Sequence, residues 1–490
     1  MINCSFISHL ISYHLSDFLI KFFLALILCY NKGLIITVNY KLDEELFTLA
    51  DKKSLSRSLS ARHVSMIAIG GTIGTGLFLG SGESIHKAGP FILVIYLITG
   101  LFVFLMMRAL GELLLSDTTK IIFVDFIKKY LGKRIGYIMG WTYWLGWLVI
   151  AMSELTAVGT YMQFWFPHIP TWIWELIFLA ALYSINIIAV SAFGETEFWF
   201  ALIKIIAILA IIVTAIIMLL FQFHTAKGTV QLSNLWNYGL SSGNNWQIIA
   251  AFQMAFFSFL GVEFVGVSAA ETKDPLKNIP HSINSVIMRI LIFYIGALMA
   301  IMIIQPWPDY SAGHSPFVQV FAGIGIKAAA GIINFVVLTA AASSLNSSLF
   351  TTGRMLFSLA KPDSYFAHLN RQLIPMRSIT LSTGIVALVV FINYLFPEGA
   401  FKLITSVASA AFLIIYMFLM LTHIKYRKSA DYRQGPKLFP LPAAPYSDYL
   451  TIIFMGIIFL ILLFNPETTL TTAITIIWFI FIYLLSRHKF

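Results

Sequence analysis

Charge is what this sequence lacks most. Acidic and basic residues make up 11% of its 490 residues, where a water-soluble domain carries about a quarter. With 59% hydrophobic residues, too little polar surface remains to cover a body exposed to water. Repeated apolar runs close to a bilayer's thickness make the chain a membrane protein. Cysteine is scarce as well. Cys4 and Cys29 are the only two, both near the amino terminus, which excludes a disulfide framework and a four-cysteine metal site. Neither an H-E-x-x-H motif nor a Walker A loop occurs, and none of the eleven histidines falls at the middle of a predicted span. An intramembrane enzyme and a built-in ATPase therefore lack their signatures, and no metal or cofactor is expected. The formal charge of +10 does not argue for nucleic acid. The basic residues sit in short loops between apolar runs, where lipid headgroups and membrane topology account for them.

Apolar runs of helical length number twelve, at roughly 64–86, 90–115, 135–165, 171–190, 196–222, 246–269, 280–305, 315–345, 378–396, 400–423, 447–464 and 468–486. With the amino terminus cytoplasmic, the inner segments collect Lys52, Lys53, Arg57, Arg62, Lys120, Lys128, Lys129, Lys133, Arg134, Lys425, Arg427 and Lys428, among others. The outer loops hold Lys87, Lys227, Lys327 and Lys402. That asymmetry is the positive-inside pattern, and an error of one span would scramble it. The expectation is a multi-pass protein of the inner (plasma) membrane with both termini cytoplasmic and one twelve-helix domain over 61–490. Residues 1–60 read as a cytoplasmic tail, partly disordered or a wrongly assigned start. Phe18 to Tyr30 is apolar but short and contains Lys21, and a thirteenth span would invert the charge pattern. The functional chain then begins near Val38 or a little later.

Glycine crowds the first run, ARHVSMIAIGGTIGTGLFLGSGESI, at Gly70, Gly71, Gly74, Gly76, Gly80 and Gly82. Each costs about 1 kcal/mol against alanine in a helix interior. The density predicts unwinding at Ile73 to Gly76, tolerated at membrane depth only where backbone lines a protein cavity. The sixth run is interrupted by Ser258, Gly261, Glu263 and Gly266. Two interrupted helices five spans apart point to an all-α membrane fold of two five-helix inverted halves, with a binding site at the midplane. A half-helix beginning near Thr75 presents free N–H groups and the positive end of a dipole, which suit a carboxylate. Carbonyls freed at Phe257, Ser258 and Leu260 suit an ammonium group. Both together fit a zwitterionic α-amino acid; two kinked helices with no ligand are the alternative.

Ionisable residues inside spans are functional candidates by default. Lys204 lies about eight residues into span five, roughly 12 Å deep at ~1.5 Å per residue. It reads either as a proton-coupling site or as a static cation held by carbonyls of a broken helix. Glu154 in span three and Glu263 in span six could carry a proton, pair with Lys204 or hold unwound backbone. Arg108, Glu112 and Arg289 lie nearer predicted span ends and read as snorkelling or interfacial. Phe257 reads as an apolar gate or as packing. Trp141, Tyr143, Trp144 and Trp147 read mostly as interface belt or packing.

Seven segments recur in register: GGTIGTGLFLGSG, ALGELL, GWTYW, ELTAVGTYMQFWFP, FWFALIK, FSFLGVEFVGVSAAETKDP and INFVVLTAAASSLNSSLFTTGRMLFSLA. Together, from about Leu55 to the carboxyl end, they resemble the amino acid permease family of the amino acid–polyamine–organocation superfamily. The resemblance implies a LeuT-like five-plus-five inverted repeat with two further helices, broken at helices 1 and 6. It implies secondary active uptake of an amino acid, commonly with protons, across a bacterial inner membrane. It assigns the substrate carboxylate to Ile73, Gly74, Thr75 and Gly76, and the amino group to Phe257, Ser258 and Leu260. It puts Lys204 where related transporters hold a sodium ion. Substrate, protons and the bilayer are then the partners, and the protein is a monomer or weak homo-oligomer. An exchanger without net proton flux is the runner-up, ahead of a channel or sensor. One departure is the stretch Ser116 to Gly132, where Thr118 to Ile122 replaces the glycine- and serine-rich segment usual in relatives. Substrate identity rests on side chains of spans three, eight and ten.

Overall fold

In hydrocarbon a backbone N–H or C=O finds no water, so each apolar run closes its hydrogen bonds within a helix. The computed structural model describes residues 73–487 apart from 119, 121, 189, 265–273, 312, 325–326, 362–363, 397–398 and 436. The expectations for residues 1–60 and for the start of span one fall outside the described residues. Residues 361–365 group with a separate unit and close a turn, Ser364 N–H to the Lys361 carbonyl at 2.9 Å.

The described residues are mostly helical. Helix α1 opens in a wide π-type turn at Gly76–Gly80 and continues through Ser81–Ala88. Gly89, at φ +55°, turns the chain into α2, Ile92–Ser116. A short amphipathic helix α3 (Phe123–Leu131) leads to α4 (Lys133–Met162), α5 (Thr171–Ile188) and α6 (Val190–Leu220). A two-stranded hairpin, His224–Thr225 with Gly228–Thr229, precedes α7 (Asn245–Ser258), capped by Asn244 Oδ1 on two backbone N–H groups. There follow α8 (Pro275–Ile304), α9 (Pro316–Gly323), α10 (Lys327–Leu359), α11 (Met376–Leu395), α12 (Ala400–Lys428), α13 (Ala430–Gln434), α14 (Tyr446–Phe464) and α15 (Thr469–Arg487).

Ten stretches among the described residues are long and apolar enough to cross a bilayer, with α1 and α2 counted as one. Their burial separates inner from outer helices. The apolar window of α4 is 83% buried and that of α12 72%, against 22% for α5 and 33% for α14. Helix α4 packs on α10 and α12, α1 packs on α7, and α7 packs on α12.

Three boundaries differ from the expected ones. The predicted span 315–345 resolves into the short α9, with Pro316 in its first turn, and the long α10. Polar residues from Ser343 to Thr352 hide the second half of α10 from a hydropathy reading, yet they are buried. Ser348 and Thr351 donate back to the carbonyls four residues earlier at 2.8 and 2.7 Å. Helix α12 runs five residues past the expected end, taking His423 and Arg427 inside. Span six is a helix only to Ser258. Phe259, Leu260, Val262 and Phe264 then close short turns onto residues three back, with Gly261 at φ +87°, and helix resumes at Glu263. A φ of that sign suits glycine and strains other residues.

Candidate functional site

The start of α1 meets the interruption of span six. A side-chain carbon added at Gly76 would lie 2.6 Å from Ser258 Cα, and one at Gly80 would lie 2.3 Å from Met254 Sδ. Only hydrogen lets α1 and α7 approach this closely. Around the contact is a cavity lined by Gly74, Gly76, Trp147, Ile150, Glu154, Phe257, Ser258, Leu260, Gly261, Ser344 and Ser347. It draws on the two interrupted segments together with α4 and α10. Six of the ten residues singled out in the sequence thus line one hollow: Gly74, Gly76, Glu154, Phe257, Ser258 and Leu260.

On the α1 side, Ile73 and Gly74 are outside helix and Thr75 begins it. Thr75 caps nothing with its side chain, and its hydroxyl is buried without a partner. The Thr75 N–H faces Glu154 Oε1 at 3.5 Å, while Glu154 Oε2 is buried without a partner. A carboxylate therefore already stands at the positive end of the half-helix, where such a dipole favours it. Gly74 makes the approach possible, since a Cβ there would come within 2.8 Å of Glu154 Oε1.

On the α7 side the carbonyls are partly used. The Phe257 carbonyl accepts the Leu260 N–H at 3.0 Å, and the Ser258 carbonyl accepts the Tyr294 hydroxyl at 2.9 Å. Each carbonyl oxygen has a second lone pair. The Ser258 hydroxyl donates to Met254 O at 2.9 Å and so accepts the Tyr96 hydroxyl at 2.8 Å. Phe257 packs edge-on against Phe401 of α12, ring centroids 6.2 Å apart, which closes one side of the cavity with apolar surface.

Lys204 lies behind the cavity wall. Its Nζ donates to the Ile73 carbonyl at 3.3 Å and to Ser343 Oγ at 2.9 Å, and Ser343 Oγ donates on to Glu197. The cation thus holds the backbone just before α1 and is linked through a serine to a buried carboxylate. Glu197 went unread in the sequence. The available signal was its spacing, since seven residues before Lys204 place it on the same face of α6 two turns away. Glu263 is separated from both. The Tyr143 hydroxyl donates to its Oε1 at 3.2 Å and the Tyr416 hydroxyl to its Oε2 at 2.5 Å. It ties the resumed helix to α4 and α12 and does not line the cavity.

Two readings of charged residues are corrected. Glu112 is buried, not snorkelling: His423, Arg427 and the Leu441 N–H all bond to it. Arg289 is buried in mid-α8 with a bond to Ser285 at 2.6 Å. The aromatic cluster of α4 divides in the same way. Trp147 lines the cavity and Tyr143 holds Glu263, roles that residue type alone does not separate from packing.

Comparison with known proteins places the chain among transporters. The family described as amino acid permease matches residues 63–488. The amino-acid permease AapA of Bacillus subtilis is 48% identical over 89% of this chain and 95% of its own. A serine permease of Lactococcus lactis is 43% identical over 88% of this chain and 97% of its own. The D-serine/D-alanine/glycine transporter of Escherichia coli is 40% identical over 88% and 93% respectively.

Proposed function

The chain belongs to the amino acid permease family, and on that premise we propose that it imports a small neutral amino acid by proton symport. Transport proceeds by alternating access around the cavity between α1 and α7. The observation that carries this reading is the close approach of the start of α1 to the end of α7 at Gly76 and Ser258, with Glu154 at the open N–H end. The substrate carboxylate takes the N–H groups from Thr75 onward, and its ammonium group takes carbonyl lone pairs at Phe257, Ser258 and Leu260. Its side chain lies toward Trp147, Ile150, Ser344 and Ser347. The serine, D-serine, D-alanine and glycine named for relatives fit a small hollow lined by two aromatic rings, Trp147 and Phe257, and by the serines Ser258, Ser344 and Ser347.

Proton coupling follows from a competition. Glu154 and the substrate carboxylate seek the same N–H groups, and two carboxylates so close repel. A proton on Glu154 removes the repulsion, so substrate and proton arrive together. Lys204, held by Ile73 and linked through Ser343 to Glu197, keeps the break in α1 open during the exchange. We further propose twelve spans in a LeuT-like five-plus-five arrangement with both termini cytoplasmic, in the plasma membrane. Counting α1 and α2 separately and adding the interrupted span six to the other nine stretches gives that number.

Proteoliposomes test the reading. Uptake of labelled glycine, alanine and serine, with and without an inward proton gradient, should accumulate at least one of them only with the gradient. Counterflow that is saturable while the gradient has no effect would leave an exchanger. Flux without counterflow would leave a channel.

A further inference from the structure

Away from the cavity, at the lysine- and arginine-rich end of α12, lies a second buried group of charges. His423 is 0% exposed. Its Nδ1 is 2.7 Å from Asp448 Oδ1 of α14, and its Nε2 is 3.0 Å from Glu112 Oε2 of α2. Glu112 also accepts Nε and an NH2 group of Arg427 at 3.1 and 2.8 Å, and the Leu441 N–H at 2.6 Å. With donors on every side, Glu112 is held as a carboxylate. Arg427 gives another N–H to the Leu441 carbonyl at 3.2 Å. Asp448 Oδ2 is buried with no partner. The cluster is one donor short.

The charged and titratable surroundings come from each packed element. Arg108 of α2 turns away to Pro440 O at 2.7 Å and Asn284 Oδ1 at 3.3 Å. Tyr426 of α12 has its ring 6.3 Å from that of His423. Tyr432 of α13 and Tyr130 of α3 pack on Tyr426 at 5.4 and 5.6 Å, and Lys129 of α3 pairs with Asp431 of α13 at 2.7 Å.

Proton counting then decides what the cluster does. An imidazole between two carboxylates has a donor for each only as imidazolium, or when one carboxyl carries the proton. With one proton fewer, whichever tautomer forms, a nitrogen lone pair faces a carboxylate oxygen at 2.7 or 3.0 Å. We propose that Glu112, His423 and Asp448 form a proton-dependent latch. With its proton the latch ties α12 to α2 and α14; without it the basic end of α12 is released. Helix α12 is unbroken from Ala400 to Lys428. Tyr416, which holds Glu263 beside the break in span six, lies two turns before His423 on the same face. At ~1.5 Å per residue that separation is roughly 10 Å. The three latch residues are positioning residues for transport, acting through α12 on the Tyr416–Glu263 contact. The latch goes beyond the substrate assignment and does not depend on it.

A distance measurement tests it. The full chain, with Cys4 and Cys29 replaced by serine, carries spin labels at Ser116→Cys and Lys425→Cys in lipid nanodiscs without substrate. Pulsed electron resonance should give one short distance in mildly acidic buffer and a growing longer population as the buffer turns alkaline. Asp448→Asn should abolish the change, because a carboxamide N–H satisfies the neutral imidazole Nδ1 while Nε2–H keeps Glu112. Its uptake should likewise lose the alkaline decline of the parent protein, a change that a merely structural role would not produce. A parent distance indifferent to pH, or an Asp448→Asn protein that opens like the parent, would overturn the latch. Should Asp448→Asn fail to fold, the parent series decides alone. Absent uptake with the distance response intact counts against the substrate reading and for the latch.

Discussion

At the scale of single residues, the proposed chemistry rests on glycine and glutamate. Gly76 is required by contact, since any Cβ meets Ser258 backbone at 2.6 Å. Gly76→Ala should therefore push the two segments apart and weaken substrate binding at least tenfold, about 1.4 kcal/mol. Scintillation proximity on purified protein reads this; parental affinity would remove the junction from the site. Glu154→Gln mimics the protonated carboxyl permanently. It should bind substrate with an affinity that no longer varies with pH, and should lose accumulation driven by a proton gradient. A variant that still accumulates in response to the gradient would place the coupled proton elsewhere. For Lys204, replacement by methionine removes the donor to Ile73 and Ser343. Exchange should persist while accumulation ceases to follow the gradient, and unchanged coupling would take the lysine out of the mechanism.

At the scale of elements, the break in span six is set by Gly261. Its φ of +87° is a backbone region that costs an ordinary residue roughly 1–2 kcal/mol. Gly261→Ala should lower thermal stability by about that amount, measured by the melting of detergent-purified protein. An unchanged midpoint would mean the turn can relax into helix. The break persists because Tyr143 and Tyr416 hold Glu263 immediately beyond it, and because Tyr294 takes the Ser258 carbonyl. The Tyr294 hydroxyl thus satisfies a carbonyl at the break, as backbone at membrane depth requires, while the other two hydroxyls anchor the Glu263 side chain beside it.

Across the whole molecule, α12 is tied at both ends. Beside the latch, Lys402 at its first turn pairs with Glu83 of α1 and with Glu467 of the turn before α15, and Lys87 of α1 pairs with the same two carboxylates. The hydrogen bond from the Lys402 ammonium is the chief stabilising cause that holds the Glu467 carboxyl below the usual carboxylate range, against a smaller opposing effect of burial. A depressed folded value means the contribution is present above the unfolded range, ~4.3, and is lost as pH falls through the folded value. The side chain is half exposed, so the contribution is about 0–1 kcal/mol. Glu467→Gln should lower the melting midpoint slightly at neutral pH and leave it unchanged in acid. An equal shift at both would show that charge is not its cause.

The sequence by itself determined the membrane class, most of the described helices and the interruption of span six. Hydropathy and glycine crowding are local properties, written in consecutive residues. It named Gly74, Gly76, Ser258 and Glu154 for the same reason, since a charge or a glycine run inside an apolar segment is conspicuous wherever it packs. Tertiary structure alone decided that Glu154 stands at the N–H end of α1 while Glu263 is pinned by two tyrosines. It alone joined Glu197 to Lys204 through Ser343, and Glu112 to His423 and Asp448. Those assignments depend on which faces of α2, α4, α6, α10, α12 and α14 meet. A lipid-facing and a protein-facing side of such helices are both apolar, so helix rotation leaves too faint a trace in the residue order to be read.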